Sequence, residues 1–170
     1  TIEIIGLPTA AQVSLQAGIV EAYSGDTFEV PIILNNQENL ALSGVKSMSC
    51  DLSFNSTLLF PMDHQMQSID ETSKKITLTD LPVDKNQGEI LTNVRFRAAW
   101  GNAEECELEL SNAKSAGGVA DFELINGKFN LLGICYEGGA RLFYPNGNLQ
   151  LSITPNPAAE TVDINYELLE

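Results

Sequence analysis

The chain has 170 residues, 44% of them hydrophobic, and a formal net charge of −14 from 23 acidic and 9 basic side chains. Its length allows one full domain with an appendage and falls short of two ordinary domains. The acidic balance works against nucleic-acid phosphates and anionic membranes as partners, and no stretch approaches the ~18 apolar residues that would span a bilayer, so membrane insertion is not expected.

Residues 1–6 (TIEIIG) are a short apolar run set apart by Leu7-Pro8, and residues 1–12 read as an N-terminal strand or linker. From Val13 onward, period-2 alternation dominates and helical periodicity is nearly absent. Phe28, Val30, Ile32 and Leu34 fall on one face, with Thr27 and Glu29 on the other. Met48, Cys50, Leu52 and Phe54 alternate with Ser47, Ser49, Asp51 and Ser53. Further on, Val94, Phe96 and Ala98 alternate with Asn93, Arg95 and Arg97, and Cys106, Leu108 and Leu110 with Glu105, Glu107 and Glu109. Successive side chains of a strand point to opposite sides, so each run predicts a strand with one buried and one wet face.

Turn residues punctuate these runs at Ser24-Gly25-Asp26, Asn35-Asn36, Asn55-Ser56, Asn86-Gln87-Gly88, Gly117-Gly118 and Asn126-Gly127. Asn126-Gly127, between residues 122–125 and 128–131, predicts a tight hairpin because both residues tolerate positive φ. Residues 69–75 could hold a helical turn and no more. The expected fold is all-β, with about nine strands by Leu131 packed as an antiparallel two-sheet sandwich of Ig-like, jelly-roll type.

Composition changes after Leu131. A glycine-rich junction from Gly133 to Gly139 leads into Arg141-Leu142-Phe143-Tyr144, and Pro145-Asn146-Gly147-Asn148 is expected to turn that run into Leu149–Ile153. Residues 133–150 therefore read as a linker hairpin, residues 13–132 as the sandwich, and residues 151–170 as a separate tail with a rigid turn at Thr154-Pro155-Asn156-Pro157. Each proline there fixes its own φ, withholds a ladder donor and holds its predecessor extended.

The chemistry-bearing residues point away from catalysis, and no catalytic residue is assigned. His64 is the only histidine, and a sequence neighbour such as Asp63 is no relay unless the two meet in space. No segment sets a carboxylate among the aromatic platforms a glycosidase needs, since Trp100 is the only tryptophan. Asp84, Asn86, Gly88 and Glu89 loosely follow a calcium loop, but Gly88 stands where a third oxygen ligand belongs, so a polar turn is expected instead. No cofactor and no metal are expected. Of three cysteines, Cys50 reads as a small buried hydrophobe, and Cys106 with Cys135 is the candidate disulfide. It would close a loop of about 30 residues and contribute about 3–4 kcal/mol in the chain-entropy model.

Two resemblances extend this reading. Gly25-Asp26-Thr27-Phe28-Glu29-Val30-Pro31-Ile32 resembles the "GDTV-VPI" strand that opens cohesin domains. It is followed by Gly44-Val45, an alternating strand, and Ser53-Phe54-Asn55-Ser56-Thr57-Leu58-Leu59, similar to their "xYDPxxL" turn. Asn55 replaces the aspartate and Ser56 the proline. Ile90-Leu91-Thr92-Asn93-Val94-Arg95-Phe96 is similar to the "GxLxxIxF" strand, and Ala120-Asp121-Phe122 with Asn126-Gly127-Lys128-Phe129 resembles the last hairpin. The tail, LSITPNPAAETVDINYELLE, resembles the opening of a type IX secretion C-terminal sorting domain, with Pro155, Asn156 and Pro157 in its turn.

The resemblances imply a non-catalytic bacterial module, exported to the extracellular space or outer cell surface, that binds a protein partner through a sheet face. In cohesins, dockerin is held by the outward face of the strand matching residues 47–53, so Ser47, Ser49, Asp51 and Ser53 are the implied partner-binding positions. This chain departs there: Ser47 and Ser49 stand where those cohesins carry longer asparagine and aspartate side chains. Two alternatives are carried. One is self-assembly by strand exchange, with residues 1–6 or the tail from Leu151 as donor. The other is a polysaccharide-binding module using Trp100, Tyr136 or Tyr144.

Overall fold

The computed structural model describes residues 10–135, 141–142, 149–154 and 163–168, with side chains through residue 134. The chain divides into two units, Thr1–Leu132 and Gly133–Glu170. Strands are numbered in chain order. One sheet of the first unit has five strands, in spatial order β10 (Ala120–Ile125), β1 (Ala11–Ala17), β3 (Thr27–Glu38), β8 (Ile90–Ala98) and β5 (Leu59–Pro61). The other has six: β2 (Ile19–Tyr23), β11 (Gly127–Leu132), β9 (Glu105–Ala116), β4 (Ser47–Asn55), β7 (Ser73–Leu81) and β6 (Gln67–Ser68). Neighbours run antiparallel except β1 with β10 and β2 with β11, which are parallel. The all-β two-sheet sandwich expected from the alternation is the fold observed.

The core is built by the predicted inward faces. Val30, Ile32 and Leu34 of β3, Met48, Cys50, Leu52 and Phe54 of β4, Val94, Phe96 and Ala98 of β8, and Leu108 and Leu110 of β9 are all buried. Aromatic rings tie the sheets together. Phe28 of the five-stranded sheet stacks on Phe129 of the six-stranded sheet at 5.1 Å, and Phe54 meets Phe96 edge-on at 5.0 Å. Each contact crosses the interior, so both sheets share one apolar layer.

Three local expectations are corrected. Asn126-Gly127 is not a hairpin: β10 and β11 lie in different sheets, and neither residue has positive φ. Asn126 instead closes the end of the β9–β11 ladder. Its Oδ1 accepts the Leu110 N–H at 3.0 Å, and its Nδ2 donates to Glu107 at 2.8 Å. Residues 69–75 hold no helical turn. Asp70 Oδ1 accepts the N–H groups of Thr72 and Ser73 at 2.8 and 2.7 Å, an Asx turn that launches β7. Among the described residues, eleven strands lie before Gly133 rather than about nine, because β5 and β6 have three and two residues and carry no periodic signal.

In the second unit, β12 (Ile134–Cys135) pairs with β13 (Arg141–Leu142), and β14 (Leu149–Thr154) with β15 (Asp163–Leu168). Arg141-Leu142 thus pairs backward onto Ile134-Cys135, not forward onto residues 149–153 as the Pro145–Asn148 turn had suggested. That turn, Pro155, Asn156, Pro157, Tyr136, Tyr144 and residues 1–6 lie outside the described residues.

Candidate functional site

β4 sits inside the six-stranded sheet between β9 and β7, and its two faces differ as the alternation requires. Ser47, Ser49 and Ser53 are half-buried on the outward side. Their cross-strand neighbours on β9 are Ala116, Lys114 and Glu109. Asp51, between Ser49 and Ser53, is only 6% exposed although it faces outward. All four predicted positions therefore share one face, but Asp51 is covered while the serines are open.

Two bulges explain the covering. Pairing of β4 with β9 slips between Ser49 and Asp51, and pairing with β7 slips between Met48 and Cys50. Opposite these slips, each neighbour carries a non-glycine residue in the left-handed region, Asn112 (φ 50°) on β9 and Asp80 (φ 55°) on β7. Such bulges re-aim side chains. Asn112 Nδ2 donates to Asp51 Oδ2 at 2.9 Å, Lys75 Nζ to the same oxygen at 2.6 Å, and Thr77 Oγ1 to Oδ1 at 2.7 Å. Burial alone would raise the Asp51 carboxyl. The hydrogen bonds from Lys75, Asn112 and Thr77, with the Lys75 charge, outweigh it and hold the group below the ordinary aspartate value.

Behind this face lies Cys50, 1% exposed, whose thiol burial and then the Asp51 charge push up to about 11. It stays protonated near neutrality and is a poor nucleophile. Cys106 is a free, half-buried thiol, also raised by burial against a backbone hydrogen bond from Asn55. The side chain of Cys135, its expected disulfide partner, lies outside the described residues.

Among the described residues, no group of three or more histidine, cysteine or acidic side chains gathers as a metal site would need. Asp63 is held by Arg95, which donates through Nε and Nη2 at 2.7 Å each, and so does not orient His64. His64 is half-buried, with Nδ1 lacking a hydrogen-bond partner among the described residues. In the loop that loosely follows a calcium site, Glu89 closes on the N–H and Nδ2 of Asn86, giving a self-satisfied polar turn. Trp100 is 46% exposed in the loop that follows β8.

Sequence reasoning missed Lys75, Thr77 and Asn112. Lys75 and Thr77 alternate with Ile76 and Leu78, so their outward face was readable. That β7 would lie beside β4 was not, and nothing in the local sequence marks Asn112 as a bulge.

No family model matches the chain, and no curated protein matches it in sequence. Solved structures do share its architecture. The sixth cohesin of Acetivibrio cellulolyticus scaffoldin B, in complex with a mutant Cel5 dockerin, superposes with a TM-score of 0.51 at 16% identity. That match covers 71% of this chain and 99% of the cohesin. A non-cellulosomal cohesin from the hyperthermophilic archaeon Archaeoglobus fulgidus gives 0.50 at 20% identity, over 71% and 91% of the two chains. The sandwich has a cohesin-like fold. Its similarity to those domains is one of backbone architecture, and the outward β4 face carries three serines around a saturated aspartate.

Proposed function

We propose that the chain is a non-catalytic binding module whose outward β4 face, Ser47, Ser49, Asp51 and Ser53, docks a protein partner. The observation that carries this is the pinning of Asp51 from both neighbouring strands. It holds the sheet in one shape and leaves small polar groups around it for a flat contact. Preorganised surfaces lose less ordering entropy on binding. The Acetivibrio cohesin with the same architecture is in complex with a dockerin, which supports recognition of a protein over a polymer.

The module is secreted in this reading. The tail from residue 151, with Pro155, Asn156 and Pro157, is the opening part of a type IX sorting domain, and residues 133–150 link it to the sandwich.

A photo-crosslinking residue placed at Ser49 on β4, or at Glu29 on the opposite sheet, tests the face in the secreted protein fraction of the source bacterium. A protein adduct from position 49 and none from position 29 is expected. Equal adducts at both, or adducts at 29 alone, would refute the β4 face.

A further inference from the structure

The partner's chemistry can be read from the charge of the same face, so this inference rests on the docking reading above. The six-stranded sheet is unevenly charged. At one end β9 presents Glu105, Glu107 and Glu109, with Lys128 paired to Glu105. At the other, beyond the bulge, Lys114 stands opposite Ser49.

Lys114 and Ser49 line a shallow concavity shared with Asp51, Lys75, Thr77 and Asn112. Asp51 is its one acid among the described residues, and both oxygens are occupied: Oδ1 by Thr77, Oδ2 by Lys75 and Asn112. The bulge decides this allocation, because it brings Asn112 to the aspartate. Lys114 is left with no carboxylate within ion-pair distance, and the Ser49 hydroxyl with no hydrogen bond, among the described residues. In a chain with 23 acids and 9 bases, an unneutralised ammonium beside an open hydroxyl reverses the local sign of the surface.

We infer that Lys114 and Ser49 form a subsite for the carboxylate of an aspartate or glutamate on the docking surface of the partner protein. An ammonium and a hydroxyl are both donors, and together they match the two oxygens of one carboxylate. The glutamate end of β9 then favours a basic group on the same partner. The two ends fix its orientation, which is the usual contribution of rim charges.

The test titrates the isotope-labelled full chain with a blocked pentapeptide carrying one aspartate among glycines and serines, with its asparagine twin and with acetate. Saturating amide shifts at Ser49, Asn112 and Lys114 are expected, with the asparagine twin about two- to fivefold weaker, as for an exposed ion pair. Lys114→Gln should abolish the preference for aspartate, whereas Lys85→Gln, on a remote loop, should keep it. Identical binding of both peptides, equal effects of the two lysine variants, or no saturating shift overturns the subsite. Acetate binding as tightly as the aspartate peptide makes it a small-anion site and overturns the docking assignment. If the subsite fails while the position-49 crosslink survives, the face binds a partner without acidic specificity. If the crosslink is lost, the face itself is wrong.

Discussion

Gly18 and Gly127 lie against each other where two neighbouring strands change sheets: a Cβ on Gly127 would stand 2.2 Å from the Gly18 carbonyl oxygen. β1 passes into β2 at Gly18, and β10 passes into β11 across Asn126 and Gly127, so two parallel strands cross between the sheets side by side. Gly18 is confined as well, though less tightly, with a Cβ there meeting the Pro31 ring at 2.7 Å. The obstacle at Gly127 is backbone and cannot rotate away. Gly127→Ala is expected to destabilise the sandwich by about 2–3 kcal/mol, the upper range for overpacking, as read from the urea midpoint. A loss near zero would show that the crossover backbone yields.

The Asp51 network makes a prediction with a pH signature. Asp51→Asn keeps the shape but removes the charge that Lys75, Thr77 and Asn112 serve, and should cost about 1–3 kcal/mol at pH 7. The folded carboxyl titrates below its unfolded value, so its stabilisation is present above about pH 4 and is lost as pH falls through the lower folded value. Denaturation curves of the two proteins should therefore differ at pH 7 and converge in acid. Asp63, Asp70 and Glu89 are also lowered but remain in the variant, so they cancel in the difference. A gap constant from pH 7 to pH 2 would rule out Asp51 as the source.

The fold was legible because the alternation along β3, β4, β8 and β9 is a direct imprint of one buried and one wet face. What failed was local chemistry whose meaning depends on distant strands. Asn126-Gly127 has the composition of a hairpin turn. Its role is set by Gly18 and Leu110, one packed against the glycine and the other bonded to the asparagine. The site was half legible for the same reason. Ser47, Ser49, Asp51 and Ser53 could be placed on one face from their spacing, yet the burial of Asp51 comes from β7 and from a bulge on β9. In the second unit β13, β14 and β15 fall at expected strand residues, but the partner of β13 is Ile134-Cys135, inside the stretch read as a junction, since alternation locates a strand without naming its neighbour.

The ring cluster gives a simpler expectation. Phe96 is fully buried and touches Phe28 at 6.2 Å within its own sheet and Phe54 at 5.0 Å across the interior. Phe96→Ala should cost about 3–5 kcal/mol, combining lost burial with the cavity left behind. Phe60, half-exposed on the edge strand β5, should lose less than about 1 kcal/mol on the same change. Comparable losses at the two positions, measured by urea unfolding, would mean that the rings do not form one cross-sheet core.

Cys50 titrates in the opposite sense to Asp51 and offers an independent check on the interior behind the β4 face. Its thiol rises from the ordinary 9.0 to about 11, first through burial and then through the Asp51 charge. An acid whose folded value is raised favours the folded state while it stays protonated. As pH climbs past 9 the unfolded chain ionises first, so stability falls until the folded thiol also ionises near 11. A two-unit separation corresponds to about 2–3 kcal/mol over that window. Cys50→Ala removes the window and leaves every other side chain of the protein in place. The wild-type chain should therefore lose its advantage over Cys50→Ala between pH 9 and 11, and Cys50 should resist Ellman's reagent at pH 7 until urea unfolds the sandwich. Prompt labelling at Cys50 itself in the folded protein, read as a faster-reacting thiol in wild type than in Cys50→Ala, or a gap between the two proteins that does not change with alkaline pH, would mean that Cys50 is open to water and that the sheet above it is not closed.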